Sequence, residues 1–432
     1  MPADRSQMNS LLALNAGSTS LRFGLFAAEA EGTGLLRGSM ERIGQPGSFL
    51  AMSARPGIPA SQRNLPLADH MTCVPALLEA LGPSLGDCPL VAVVHRIVHG
   101  GPRFSAPRML DVATRSELRR LIPFAPGHLP AELALVDALA EHNPGIPQVG
   151  CFDTDFHRSL PPVAALLAIP RRFHALGIRR YGFHGISYTG LMHELERSRD
   201  PNAAHGAVIL AHLGGGSSLA AVRDGVGIDT SMGFTPASGL PMGTRSGDLD
   251  PGLPGFLART EGMTPAGFDR MVHEESGLLG LSGTGSDMRD LLSLEPADPH
   301  AREAVDLYCY QTMKAIGAFA AALGGLDTLV FSGGIGEHCP TVRSRICSGL
   351  GFLGVSLDAA RNADNEPVLS VASGHVRVLR IPADEAGTLA RLSMDFLGLH
   401  GSPTGTSKCQ QRHPLTTSMR TDPGTNPAAA SG

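Results

Sequence analysis

The chain has 432 residues, 42% hydrophobic and 17% charged, with a formal net charge of −5; that length exceeds what one core usually supports, so two domains are expected. The charge gives no basic field for nucleic acid, and no run of 18 uncharged apolar residues offers a membrane span. Of 35 basic residues only Lys314 and Lys408 are lysines, and neither follows a glycine, which excludes a Walker A loop and leaves arginines, a metal ion and backbone N–H groups to meet phosphate.

Residues 1–10 read as a loose leader without the cationic start and apolar stretch of a secretory signal, and a cytosolic protein is expected. A β-rich segment, LLALNAGSTSLRFGLF, follows from Leu11, and Pro/Gly/Ser-rich chain returns at residues 44–59. VAVVHRIVHGG, residues 91–101, reads as a strand; ATRSELRRLI and LPAELALVDALAEHNPG show helical periodicity with polar or Pro starts. QVGCFDTDF reads as a strand that closes on Asp153 and Asp155. A second β-rich block opens at Val208 with VILAHLGGGSSLAAV, which superposes on the first at an offset of 197 or 198 residues: Leu12, Ala13, Gly17, Ser20 and Leu21 recur as Leu210, Ala211, Gly215, Ser218 and Leu219. Strand, phosphate-sized turn, strand, twice over, predicts a duplicated domain. Residues 301–323 read as an apolar helix halted by Gly324 and Gly325, and LDTLVFSGGIGE as strand then glycine turn. Residues 400–432 are Ser, Thr, Gly, Gln and Pro with few apolar residues to bury, and are expected to be a disordered tail. The seven cysteines show no CxxC spacing and read as reduced, packed thiols.

Three glycine turns, at residues 15–20, 212–218 and 332–337, each follow a strand, where backbone N–H groups can approach an anion. Arg245 lies in the loop MGTRSGDLDPG, either to clamp a phosphate or carboxylate at two points or to pair with an aspartate of its own loop. Arg96 lies within an apolar strand, where an unpaired charge is expensive, so it needs an anion. Asp153, Asp155, Asp384 and Glu385 follow apolar runs, as suits Mg²⁺ held mainly by phosphate oxygens; helix capping is the alternative for the last two. His128 and His184 stand in Gly/Pro loops and read as site residues. His95 and His99 share a strand face, but without a third ligand nearby a structural role is preferred over zinc.

Together LNAGSTSLRF, HRIVHGG, CFDTDFH, RRYGFHGIS, MGTRSGDLDPG, SGTGSDMRD, FSGGIGE and IPADE resemble, in order from Leu11 to about Leu399, the acetate kinases of the acetate and sugar kinase/actin-like ATPase superfamily. The resemblance implies an α/β fold of two ribonuclease-H-like domains, residues 11–155 with 385–399 and residues 156–384, with the active site in the cleft between them, and a homodimer. It implies ATP-dependent, reversible phosphorylation of acetate, with propionate as a further candidate substrate, by in-line transfer with Mg²⁺ or Mn²⁺. Carried over by position, Asn15, Ser18 and Ser20 face the transferring phosphoryl; Arg96 and Arg245 hold carboxylate and phosphoryl; His184 steadies the transition state; and His128 assists at the acyl phosphate. Val98, Phe183 and Pro236 enclose the acyl group, and Asn15, Asp153 and Glu385 place the metal. ATP lies along His212, Leu213, Gly214, Gly215, Gly216 and Ser217, with Asp287, Met288, Arg289 and Gly333, Gly334, Ile335, Gly336 and Glu337 on its adenosine side. The chain departs from the family pattern at Gly127, Leu129, Gly215 and Tyr188, and Gly127 predicts a wider acyl pocket. A propionate or butyrate kinase is the alternative enzyme, and an actin-like ATP switch the alternative of another class.

Overall fold

The computed structural model describes residues 9–28, 33–54, 59–85, 88–198 and 201–399. Residues 1–8 of the expected leader and the whole expected tail lie outside the described residues, whereas Ser10 already belongs to the first strand. The strands are β1 Ser10–Ala16, β2 Ser20–Ala27, β3 Gly34–Glu41, β4 Phe49–Met52, β5 Ser61–Asn64, β6 Leu90–Ile97, β7 Arg108–Met109, β8 Gln148–Phe152, β9 Ala207–Leu213, β10 Ser217–Arg223, β11 Val226–Thr230, β12 Thr328–Ser332 and β13 Arg377–Arg380. They form an eight-stranded sheet, β5-β4-β3-β2-β1-β6-β8-β7, and a five-stranded one, β11-β10-β9-β12-β13.

The duplication is visible strand by strand. In each sheet an antiparallel hairpin leads to a third antiparallel strand, and two later strands join the hairpin's first strand in parallel: β3-β2-β1-β6-β8 in one, β11-β10-β9-β12-β13 in the other. β9 and β10 begin 197 residues after β1 and β2 (207 − 10 and 217 − 20). This is a duplicated ribonuclease-H-like fold of the actin-like ATPase type.

The central strands are apolar on both faces because both are covered. Along β1, Leu12 and Leu14 pack with Leu77, Leu81 and Leu135, whereas Leu11 and Ala13 face Leu389, Ala390 and Met394 of the helix Glu385–Leu397. β9 does the same: Ile209, Ala211 and Leu213 meet the helix Pro299–Leu323, and Val208 and Leu210 meet Tyr188, Leu191 and Leu195 of the helix Gly185–Arg197. The helices 185–197 and 385–397 pack on each other, which brings the inner faces of the two sheets together.

Two readings need correction. The strand expected over residues 91–101 ends at Ile97, because the Val98 N–H leaves the ladder for the Glu132 carboxylate and Gly101 adopts a left-handed φ of 58°. The glycine turn expected after β12 is no separate turn: Gly333, at φ 76°, opens the helix Gly333–His338 directly.

Candidate functional site

A cleft of about 1230 Å³ is lined from both sheets, by Asn15 at the end of β1, Gly214, Gly215 and Gly216 after β9, Gly333 and Gly334 after β12, and Glu385 beyond β13. His184, His212, Asp287, Met288, Arg289, Ile335 and Glu337 complete it among the predicted residues. Ser18 and Ser20 sit in the first hairpin turn, Ser18 exposed, outside the cleft lining. Leu213 and Ser217 are buried behind the second turn, where Ser217 Oγ donates to Gly214 O at 3.0 Å, accepts from Gly214 N and bonds the Tyr308 hydroxyl at 2.8 Å. Ser217 therefore braces the turn from within. Gly336 is buried outside the cleft lining, its carbonyl accepting from Arg343.

Gly216 shows what the second turn faces. A Cβ built there would stand 3.2 Å from His184 Nε2, a tight contact, and 3.5 Å from Arg245 Nη1, an ordinary one, so the imidazole and the guanidinium converge on this turn. At Gly215 a Cβ would meet nothing within 4 Å.

Arg245 is held by its backbone and left open at its head. Met242 N donates to Arg245 O at 3.0 Å, Gly243 N to Gly215 O at 3.1 Å and Ser276 N to Thr244 O at 3.0 Å, which ties the arginine loop to the glycine turn. The guanidinium Nη1 reaches only Pro236 O at 3.3 Å and Met242 Sδ at 3.8 Å, and Arg245 makes no ion pair among the described residues. The aspartates of its loop are occupied elsewhere: Asp248 accepts from Gly239 N at 2.8 Å and Asp250 from Gly252 N at 2.7 Å. The pairing alternative for Arg245 is thus excluded. Burial and the neighbouring Arg96 both lower its pKa.

Arg96, inside β6, has the anions its position demands. Nη2 donates to Asp153 Oδ2 at 2.7 Å and Nη1 approaches Glu132 Oε1 at 3.5 Å. Burial opposes its charge, but Asp153, Glu132 and Glu385 more than offset this and raise its pKa. Asp153 Oδ2 also accepts from His184 N at 3.2 Å, and Asp153 O from Gly185 N at 2.8 Å. His184 takes a left-handed φ of 59° there and so turns into the cleft.

The histidines of the site are neutral. Burial, then His212, Arg245 and Arg96, pushes the His184 pKa well down; burial lowers His212, and burial followed by Arg96 and Arg245 lowers His128 to about 4. His184 Nδ1 bonds Ser218 Oγ at 2.9 Å, and Ser218 Oγ bonds the buried Tyr188 hydroxyl. His212 stacks on His184 with ring centroids 4.4 Å apart and bonds Ser187 Oγ at 2.8 Å. His128 stands at the N-cap position of the helix Leu129–His142, its side chain making no capping hydrogen bond. His95 bonds Gln148 Oε1 at 2.7 Å and His99 Nδ1 accepts from Gly101 N at 2.8 Å, so both serve the fold.

Val98 and Phe183 share an apolar cluster with Leu129, and Pro236 is buried beside Arg245. Gly127 is exposed and a Cβ there would meet nothing within 4 Å, whereas Leu129 is fully buried in the cluster.

For a metal, Asn15, Asp153 and Glu385 offer hard oxygen donors; Asn15 Nδ2 donates to Glu385 Oε2 at 2.8 Å, and Arg96 and His212 both sense Asp153 and Glu385. Among the described residues no group of three His, Cys, Asp or Glu holds an ion by itself. Two carboxylates and an amide fit Mg²⁺, which keeps its waters and phosphate oxygens and takes few protein ligands. Asp155 instead pairs with Arg158 at 2.8 Å, and Asp384 caps its helix through Gly387 N at 3.0 Å and pairs with Arg37 at 2.8 Å.

Sequence reasoning missed two groups, Glu132 and Arg343, and the bracing role of the predicted Glu337. Glu132 is buried against Arg96. Arg343, fully buried without a carboxylate, donates to Gly336 O at 2.9 Å, Asn362 O at 2.7 Å and Asn365 Oδ1 at 2.8 Å, which fastens the helix 333–338. Glu337 Oε1 accepts from Gly333 N and Ala383 N, both at 2.9 Å, which joins the exits of β12 and β13. Among the described residues no lysine lines the cleft and the one lining thiol is Cys339, whose pKa burial raises.

The model of the Acetokinase family matches residues 10–391. An acetate kinase of Nitrobacter hamburgensis is 41% identical over 402 residues, 90% of this chain and 96% of its own length. Among solved structures, Porphyromonas gingivalis acetate kinase is similar with a TM-score of 0.81 at 36% identity, covering 90% of this chain and 100% of its own. A propionate kinase from Francisella tularensis is similar with a TM-score of 0.84 at 32% identity, covering 89% and 99%.

Proposed function

The chain belongs to the acetokinase family, and from that premise we infer that it phosphorylates acetate with ATP, reversibly, to acetyl phosphate. An acetate oxygen attacks the γ-phosphorus as the bond from that phosphorus to the ADP oxygen breaks, and ADP leaves. No base is needed, because a carboxylic acid with the pKa of about 4.3 typical of a Glu side chain is already ionised at neutral pH. The task is to bring anions together and neutralise the charge of an in-line phosphoryl transfer.

The observation that carries this reading is Arg245: a largely desolvated guanidinium with no carboxylate partner, aimed with His184 at the Gly216 turn. In our assignment Arg245 takes the transferring phosphoryl and Arg96 the acyl carboxylate, with the acyl group against Val98, Phe183 and Pro236. A chain from the Tyr188 hydroxyl through Ser218 to His184 Nδ1 keeps the Nε2–H as a donor toward the phosphoryl. His128, neutral, donates at the acyl phosphate. Asn15 and the turn at residues 214–216 hold the ATP phosphates, and Asp287, Met288, Arg289 and residues 333–337 border the adenosine. Asn15, Asp153 and Glu385 would hold Mg²⁺ or Mn²⁺, which when bound neutralises the phosphate oxygens.

The helix Glu385–Leu397, packed on β1, β2 and β6, supports a first domain of residues 11–155 with 385–399 and a second of 156–384. We further assign a cytoplasmic homodimer with no role for nucleic acid or membrane; no described helix is long and apolar enough to cross a bilayer. The likeness to a propionate kinase and the apolar Val98–Leu129 cluster support overlapping use of propionate, since one methylene is worth only about 1–3 kcal/mol in such a pocket.

The test is acyl phosphate formation with Mg·ATP, trapped by hydroxylamine, across formate, acetate, propionate and butyrate. Product peaking at acetate or propionate and lost in Arg245→Ala supports the reading. ATP bound without product from any acid overturns it.

A further inference from the structure

Glu132 is a carboxylate for which the reaction above has no use. It lies one turn into the helix Leu129–His142, four residues after His128, and its side chain is 1% exposed. Burying a carboxylate is costly unless its oxygens are met. Here Oε1 accepts from Val98 N at 3.2 Å and approaches Arg96 Nη1 at 3.5 Å, while Oε2 accepts from Val98 N at 3.0 Å. Burial drives its pKa up to about 7 and Arg96 opposes the rise.

The partners matter because they do different jobs. Arg96 is the anion-binding head, already gripped on Nη2 by Asp153 at 2.7 Å, so a second carboxylate at Nη1 fixes the plane of the guanidinium from both sides. Val98 belongs to the apolar cluster with Phe183 and Leu129. One side chain therefore touches both the group that binds the charged end of the substrate and the backbone of the wall that meets its hydrocarbon end.

We propose that Glu132 is a positioning residue for the acyl substrate, holding the Arg96 guanidinium and the Val98 backbone in one fixed relation. The inference rests on the carboxylate-kinase reading of the site. Its mark is selectivity: acetate recognition depends on Glu132 and nucleotide recognition does not. Because Oε1 alone reaches both partners, glutamine with its amide oxygen there keeps the contacts of that atom and loses the shorter bond from Val98 N to Oε2, whereas leucine abolishes the link and aspartate is one methylene too short to span both.

The experiment is steady-state kinetics of full-length Glu132→Leu, Glu132→Asp and Glu132→Gln, with KM for acetate and for ATP measured separately. Glu132→Leu and Glu132→Asp are expected to raise KM for acetate by about tenfold or more, the scale of a hydrogen bond to a charged group. KM for ATP should stay within about threefold of the parent, and Glu132→Gln, which keeps the oxygen between Arg96 and Val98, should raise KM for acetate less than Glu132→Leu or Glu132→Asp. If Glu132→Leu fails to fold, Glu132→Asp and Glu132→Gln decide alone. An unchanged KM for acetate in Glu132→Asp, or an equal rise in both constants, overturns the proposal. A parent enzyme that makes no acetyl phosphate overturns the functional reading instead.

Discussion

Arg96 lies within β6 with Asp153 at 2.7 Å and Glu132 at 3.5 Å, while Arg245, on the loop after β11, has a carbonyl oxygen and a thioether for company. The first is woven into the fold by two buried carboxylates. The second is placed by backbone hydrogen bonds alone, so its charge remains available to a ligand. The difference separates two needs of a site for anions: a cation fixed in advance, and a cation whose partner arrives with the substrate.

The sharpest way to break the comparison is to remove each arginine and measure activity and stability together. Arg245→Ala should lose on the order of 10³ in turnover, as other arginine clamps do, with its urea midpoint nearly unchanged. Arg96→Ala should lose comparable turnover and also about 3–5 kcal/mol of stability, because two buried carboxylates are left uncompensated. Adding Glu132→Gln to Arg96→Ala should recover part of that stability and none of the turnover. Equal stability losses in the two single variants would erase the distinction.

A smaller effect concerns pH. His95, His99, His128 and His157 are held down to about 4 by burial, below the ordinary 6.5. The unfolded chain takes up their protons first, so their stabilisation is fully present above pH 6.5 and is lost as the pH falls toward 4, at up to about 1.4 kcal/mol per histidine per pH unit. Glu132, raised from 4.5 to about 7, has the opposite sign: its stabilisation is complete below 4.5 and lost as the pH rises through 7. Urea midpoints between pH 5 and 8 should fall steeply on the acid side, and Glu132→Gln should flatten the alkaline side alone. The smallest change expected is in Tyr188→Phe, which removes a hydrogen bond of about 1 kcal/mol from the chain to His184 and should lower kcat about fivefold at unchanged KM.

What the sequence disclosed follows from burial. β1 and β9 are apolar on both faces and end in glycine turns, so their equivalence could be read directly, and the charge of Arg96 in an apolar run announced a buried anion site. Arg245 was legible as an arginine, but whether Asp248 or Asp250 paired with it depended on backbone N–H groups at Gly239 and Gly252. Glu132 was hidden because an acid near a helix start is ordinary; its burial comes from the neighbouring strand. Arg343 was hidden because its partners are the carbonyls of Gly336, Glu337 and Asn362 and two asparagine side chains, which no spacing brings together. Ser217 carries the right hydroxyl in the right turn and points it into the core, toward Tyr308.

That no described lysine lines the cleft has a chemical consequence. Acetyl phosphate acylates amines and thiolates, so an enzyme that makes it is exposed to damage by its own product. In the proposed assignment the side-chain cations that meet the phosphates are guanidiniums, which stay protonated and do not attack acyl carbon. The single lining thiol, Cys339, is kept by burial in its unreactive protonated form. The one lysine of the described residues, Lys314, stands outside the cleft lining with its ammonium over the ring of Tyr310. A site whose described cations are arginines thus offers a reactive mixed anhydride no amine to acylate.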